Sequence, residues 1–165
     1  MDGTEIIWSL VQDNFEHARS HEDYRARTVN LTLTVGSILV ASLAIEGFSE
    51  KSILIWQWSI TFQALIGLCL IAVGVYGALL SYKHYERNRM HVKVAQELLA
   101  KLSESSPKLL PFNTVELFEN FKNTHTWKAK RAEPIKLNWL WTGFPLLLAI
   151  FGLLLLLGSF TPTAG

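Results

Sequence analysis

Three stretches of the chain contain no charged side chain: Thr28–Ile45, Ser52–Tyr82 and Leu137–Gly165, which are 18, 31 and 29 residues long. A bilayer's hydrocarbon core takes about 20 predominantly apolar residues per helix, with a range of roughly 17–25. Each stretch is therefore long enough to cross once. The competing reading is a soluble protein with long buried helices. The run Phe144–Gly158 argues against it, because it is Leu-rich on every face and has no polar side for water. Composition points the same way: half the residues are apolar, mean hydropathy is +0.24 and only 18% are charged, against about 25% in soluble domains. The fold expected is an all-α integral membrane protein with three transmembrane helices, at about 28–46, 57–80 and 139–160, plus cytoplasmic amphipathic helices.

Other classes are disfavoured. A net charge of +1 offers neither a basic face for nucleic acid nor an acidic disordered tail. The first 27 residues hold six acids and three bases and no long apolar core, so no targeting peptide is expected. With one cysteine there is no intramolecular disulfide, and Cys69 lies in mid-span, where a thiol behaves as a small apolar group. No disulfide-linked partner is expected.

Basic residues set the orientation, since Lys and Arg stay on the cytoplasmic side. Arg25 and Arg27 precede the first span. Lys83, Arg87, Arg89 and Lys93 follow the second. Lys128, Lys130, Arg131 and Lys136 precede the third. The connection Glu46–Lys51 and the end past Phe160 lack such a cluster. This predicts a multi-pass membrane protein, with the N-terminus inside and the C-terminus outside. Trp56, Trp58, Tyr82, Tyr85, Trp139 and Trp141 fall at the expected interfaces.

Four segments follow: a cytoplasmic N-terminal amphipathic helix (1–27), a two-span hairpin (28–82), a cytoplasmic helical region (83–137), and the third span with a short outside tail (138–165). Ile7, Leu10, Val11, Phe15 and Ala18 form one apolar stripe over 4–22, with Thr4 as its expected cap. No Pro or Gly interrupts the passage into the first span, nor Ser81–Ser106, so the second span is expected to continue as one rod. Val94, Ala95, Leu98, Leu99 and Leu102 make its stripe, and Glu97 and Lys101 an i,i+4 pair. After a break at Ser103–Pro111, Asn113 and Glu116 resemble a capping box for a short helix carrying Val115, Phe118 and Phe121 and ended by Pro134. No strand is expected.

Catalytic and metal motifs are absent: there is no phosphate-cradling Gly loop, no zincin motif and no Cys pair. His17 and His21 are four apart, but two ligands do not make a site. Glu46, Glu50, His84 and His91 also make no set, so neither an enzyme nor a cofactor is expected. The spans carry more. Asn30, Thr34, Ser37 and Ala41 line the first span; Gln63, Gly67, Gly74 and Ala78 line the second, with Gly74-x-x-x-Ala78 among them. Small residues let helices approach closely. Two readings remain open: these faces pack on each other, or one packs against neighbouring copies around an aqueous path. The absence of charge inside the spans disfavours a proton pump, a voltage sensor or a coupled transporter. The third span, bulky on all sides, is expected to face lipid. Its Pro145 leaves the Trp141 carbonyl without its helical donor. The bases Arg25, Arg27, Lys83, Arg87, Arg89 and Lys93 are topology signals and lipid-headgroup contacts, or else a ligand or partner surface for phosphates. Lys122–Lys136 with Trp127 is a second basic stretch.

The N-terminal helix with Arg25 and Arg27, the short hairpin and Tyr82-Lys-His-Tyr-Glu-Arg-Asn-Arg89 running into Val92–Leu102 resemble the SLATT-type small bacterial membrane effectors. These are associated with nucleotide signalling and antiphage genes. The likeness covers roughly 15–105 and is one of architecture; the third span departs from the family's two-span pattern. It implies a homo-oligomeric effector that forms or gates a pore and disrupts the membrane on a cytoplasmic signal. That signal would be a nucleotide-derived ligand or a soluble signalling protein. The alternative is a non-conducting adaptor that anchors a soluble partner through 83–137.

Overall fold

A computed structural model describes residues 3–45, 47, 51–55, 58–105 and 137–160. The described chain is mostly helical, in the order α1 (Gly3–Ser42), β1 (Ser52–Ile55), β2 (Trp58–Thr61), α2 (Phe62–Ser105) and α3 (Leu137–Gly158). α1 runs without a break, and α2 is a single rod. The reason is in the sequence: neither path contains proline, and the interior glycines Gly36, Gly67, Gly74 and Gly77 lie where another chain segment comes close. Thr4 sits inside the first turn of α1, not at the cap position expected for it.

Two of the helices, α2 and α3, are long and apolar enough to cross a membrane. α1 does not pass the same test. Its uncharged part within the helix, Thr28–Ser42, is shorter than the ~17 residues at the low end of the spanning range. Three further backbone bonds, from Leu43, Ala44 and Ile45 to the carbonyls of Val40, Ala41 and Ser42, tighten its end into i→i−3 turns.

The second span was expected to begin at about 57, but the helix begins at Phe62. The preceding residues form an antiparallel hairpin, with Ser52 opposite Thr61, Ile53 opposite Ile60, Leu54 opposite Ser59 and Ile55 opposite Trp58. Ile53, Ile55, Ile60 and Thr61 are β-branched and favour extended backbone. A short apolar run cannot be told from a helical one by periodicity alone. The Phe62 amide donates to the Lys51 carbonyl (2.9 Å) and closes the base of the hairpin. Thr61 Oγ1 accepts from the Ala64 amide (3.2 Å), so the last strand residue is also the N-cap of α2. Trp58 thus lies in a strand, while Trp56 lies outside the described residues. So do Glu46, Glu50, Lys122–Lys136, Trp127 and the whole capping-box helix from Asn113 to Pro134.

The chain divides into two compact units. One comprises Met1–Tyr24 and Lys83–Asn138; the other comprises Arg25–Tyr82 and Trp139–Gly165. In the first, Val11, Ala18, Ala95, Leu99 and Leu102 are buried. This is the centre of both predicted stripes, while Leu10 and Val94 at their margins are exposed. In the second, Val29, Ala64, Ile66, Leu70, Ala78 and Ala149 form the core.

α3 is not a bystander in its unit. A Cβ on Gly67 would meet the Gly152 carbonyl at 2.7 Å, and one on Gly152 would meet the Gly67 carbonyl at 2.5 Å. Gly74 is as close to Pro145 and Ala149. The small residues of α2 therefore admit the backbone of α3, where a face for α1 or a neighbouring copy had been expected. Away from that contact α3 carries exposed Leu147, Ile150, Leu154 and Leu157.

Candidate functional site

In the second unit, a polar group is built around Pro145. Proline donates no hydrogen bond, so the Trp141 carbonyl lacks its usual i+4 donor. Ser81 supplies one: its hydroxyl donates to the Trp141 carbonyl at 3.4 Å. Arg25 Nε donates in turn to Ser81 Oγ at 3.2 Å, and the guanidinium lies 5.7 Å from the Trp141 ring centroid. Ser81 is 0% exposed and Arg25 only 3%. A buried charge of this kind persists only where polar and π partners replace its water. Arg25 was expected on a ligand surface; burial removes it from contact with a soluble ligand. A second tie is Gln63 Nε2, which donates to the Leu155 carbonyl at 3.3 Å.

The other predicted lining residues divide by helix. Gly67, Gly74 and Ala78 are buried inside the unit. Asn30, Thr34, Ser37 and Ala41 are all exposed. Thr34 and Ser37 return their hydroxyl protons to the carbonyls of Asn30 and Leu33 at 2.8 and 2.7 Å, which lowers the cost of carrying them in an apolar medium. The opposite side of α1 is the packed one: Thr32 is buried, its side chain filling the space beside Gly77.

In the first unit, the exposed bases Lys83, Arg87, Arg89 and Lys93 lie along α2. Arg89 reaches over the Tyr85 ring (5.8 Å), and Lys93 pairs with Glu97 at 3.8 Å. Arg27, in the second unit, is also exposed.

The same unit holds a feature that the sequence did not announce. Four imidazoles converge from two helices: His17 and His21 of α1, His84 and His91 of α2. His21 Nδ1 lies 3.3 Å from His84 Nδ1. The His21 and His91 rings stack at 5.4 Å and 19°, and His17 lies 5.2 Å from His91. Tyr24 contacts both His21 and His84. Two asparagines frame the group. Asn14 donates to the Leu10 carbonyl (2.8 Å), which turns its oxygen toward His91 Nδ1 at 3.0 Å. Asn88 donates to the Ala18 carbonyl at 2.9 Å. The His21 pKa lies below its ordinary value because partial burial disfavours the charged ring, and His84, His91, Arg87 and His17 add repulsion. His84 is lowered by burial and by Arg87 and Lys83. Among the described residues, no group of three or more His, Cys, Asp or Glu side chains is placed to hold a metal ion. The only hint in the sequence was spacing: 17 and 21 are one helical turn apart, and 84 and 91 are two. No known family, curated protein or solved structure matches the chain.

Proposed function

We propose that this chain is a homo-oligomeric membrane effector whose assembly forms or gates a pore on a cytoplasmic signal. The observation that carries this reading is the exposed face of α1: Asn30, Thr34, Ser37 and Ala41 all point away from their own unit. The Asn30 amide needs a polar partner in a membrane, either water or another chain. Small residues beside it permit close approach of a second helix. Gly67 and Gly74 of α2 are already occupied by α3 and Gly77 by Thr32, so the opposite side of α1 offers the free small-polar face. For α1 to span, the turns at Leu43–Ile45 complete its apolar run from Thr28, giving three crossings in a bacterial inner membrane with the N-terminus inside. The SLATT-type likeness supports the same role, in antiphage defence. The exposed Lys83, Arg87 and Arg89 would then meet the soluble signal, whether a nucleotide-derived ligand or a protein.

The test is the mass of the complex extracted in mild detergent, followed by ion flux in proteoliposomes. A closed ring of four or more copies, with flux that Thr34→Trp abolishes, is the expected result. A monomer at every concentration, or no flux under any activating condition, overturns the pore. The adaptor reading would then stand on the exposed basic face of 83–93. Charge reversal at Arg87 and Arg89 should abolish capture of its partner while leaving the oligomeric state unchanged.

A further inference from the structure

We propose that the four-histidine cluster is a proton-operated latch, which holds the N-terminal part of α1 against the post-span part of α2 when neutral and releases it when protonated. The inference stands whether or not the spans conduct.

The geometry demands a particular protonation state. At 3.3 Å, His21 Nδ1 and His84 Nδ1 attract only if one carries a hydrogen and the other does not. One proton can be shared across that contact. A second places two N–H groups face to face. His91 is constrained differently: the Asn14 oxygen takes its Nδ1 hydrogen, so its remaining site is Nε2. Charging His91 places a cation flat against the His21 ring.

The charges that bear on the pair are of one sign. Facing His21 are His17 on its own helix and His84, His91 and Arg87 from α2; facing His84 are Arg87 and Lys83 on its own helix and, from α1, His21 and Tyr24. The charges that lower the two rings are cationic or become so. The carboxylates Asp13, Glu16, Glu22, Asp23 and Glu86 are exposed.

Linkage sets the sign. Both rings bind protons less readily in the paired state than when separated, where a histidine titrates near 6.5. Separation therefore takes up protons, and acid favours it. Pairing is fully supported above about pH 7 and weakens as pH falls below about 6.5. Two links between these helices, Asn88 to Ala18 and the core of Val11, Ala18, Ala95 and Leu99, do not titrate. They set how far the latch must be weakened before it opens.

The experiment uses the full chain in lipid nanodiscs, with Cys69→Ala removing the native thiol and spin labels at Gln12→Cys and Gln96→Cys, two exposed positions on α1 and α2. Distance distributions are recorded from pH 8 to pH 5, without and with chelator. One short distance is expected at pH 8, and a longer population should rise severalfold between pH 7 and pH 5.5. Replacing the pair by His21→Phe with His84→Phe, which keeps ring packing without a titrating nitrogen, should hold the short distance at low pH. His84→Gln, smaller and still polar, should blunt the response if the double variant fails to fold. A distribution unchanged across the pH range overturns the latch. So does an undiminished pH response in these variants. A short distance that is lost at pH 8 on adding chelator also overturns it, since a bridging metal ion would then be the fastener.

Discussion

Each unit is held together internally, and by a different means. In Arg25–Tyr82 with Trp139–Gly165, helices meet through bare backbone: Gly67 faces Gly152, and Gly74 faces Pro145 and Ala149. In the unit containing residues 3–24 and 83–105, they meet through rings and amides: four histidines, Tyr24, Asn14 and Asn88 over a narrow apolar strip. The first kind of contact has no slack, because a carbonyl oxygen fixed in a helix cannot yield to a methyl group. The second can rearrange, because imidazoles rotate, change tautomer and take up protons. A tight seam suits segments that must stay together in lipid, and an adjustable one suits a segment that responds to solution.

The largest expected effect comes from filling the tight seam. Gly152→Val places its Cβ 2.5 Å from the Gly67 carbonyl and 2.8 Å from Leu70 Cβ, with branches beyond. We expect a loss of about 3 kcal/mol, since overpacking against fixed atoms costs at the upper end of the usual range. Thermal unfolding in detergent, followed by tryptophan fluorescence, measures it. A near-neutral result would mean that α2 and α3 can separate freely and would dissolve the contrast. The same logic sharpens the flux test: bulk at Gly67 reports on folding of the unit, while bulk at Thr34 reports on the exposed face.

Next is the polar exception in the tight unit. Ser81→Ala removes both the donor to the Trp141 carbonyl and an acceptor of Arg25 Nε, in a place that water does not reach. The expected cost is about 1–2 kcal/mol. Ser81→Thr keeps the hydroxyl but adds a methyl group at a fully buried position, so it should recover only part of that loss. Full recovery by Ser81→Val, which has the bulk without the hydroxyl, would show that packing and not hydrogen bonding holds this site.

Acid should tell the units apart without any mutation. The lowered pKa values of His21 and His84 mean that stability of their pairing is lost as pH falls below about 6.5. Hydrogen exchange read peptide by peptide, at matched intrinsic rates, should show 3–24 and 83–105 opening at pH 5.5 while 62–82 and 139–158 stay protected. Equal loss of protection in both sets would contradict the division into an adjustable and a rigid unit.

Much of this was legible in the residues. Charge-free stretches marked α2 and α3, the unbroken run from Ser81 marked the rod, and Pro145 pointed to a carbonyl in need of a donor. What was not legible depended on partners far along the chain. The hairpin was hidden because Ser52–Ile55 and Trp58–Thr61 are too short and too apolar for period two to show against period 3.6. Arg25 read as one more topology charge, and its burial depends on Ser81 and Trp141, more than fifty positions away. The histidines are separated in pairs by more than sixty residues, and each pair alone resembles an ordinary wet face.

The smallest expected effect tests whether surface charge contributes to the adjustable unit at all. Lys93 and Glu97 form its i,i+4 pair at 3.8 Å, with side chains 77% and 63% exposed. At that exposure water screens most of the attraction, and ordering two long side chains offsets much of the rest. Glu97→Ala should therefore cost about 0.5 kcal/mol or less, shrinking further in high salt. Alanine's better helix propensity works in the opposite direction. A loss well above 1 kcal/mol, abolished by salt, would place charge pairing along α2 on a par with the rings. It would also give protonation a second route of action, through the carboxylate, at lower pH than the histidine route. The two routes separate cleanly, because His21→Phe with His84→Phe removes the upper transition and leaves the lower one in place.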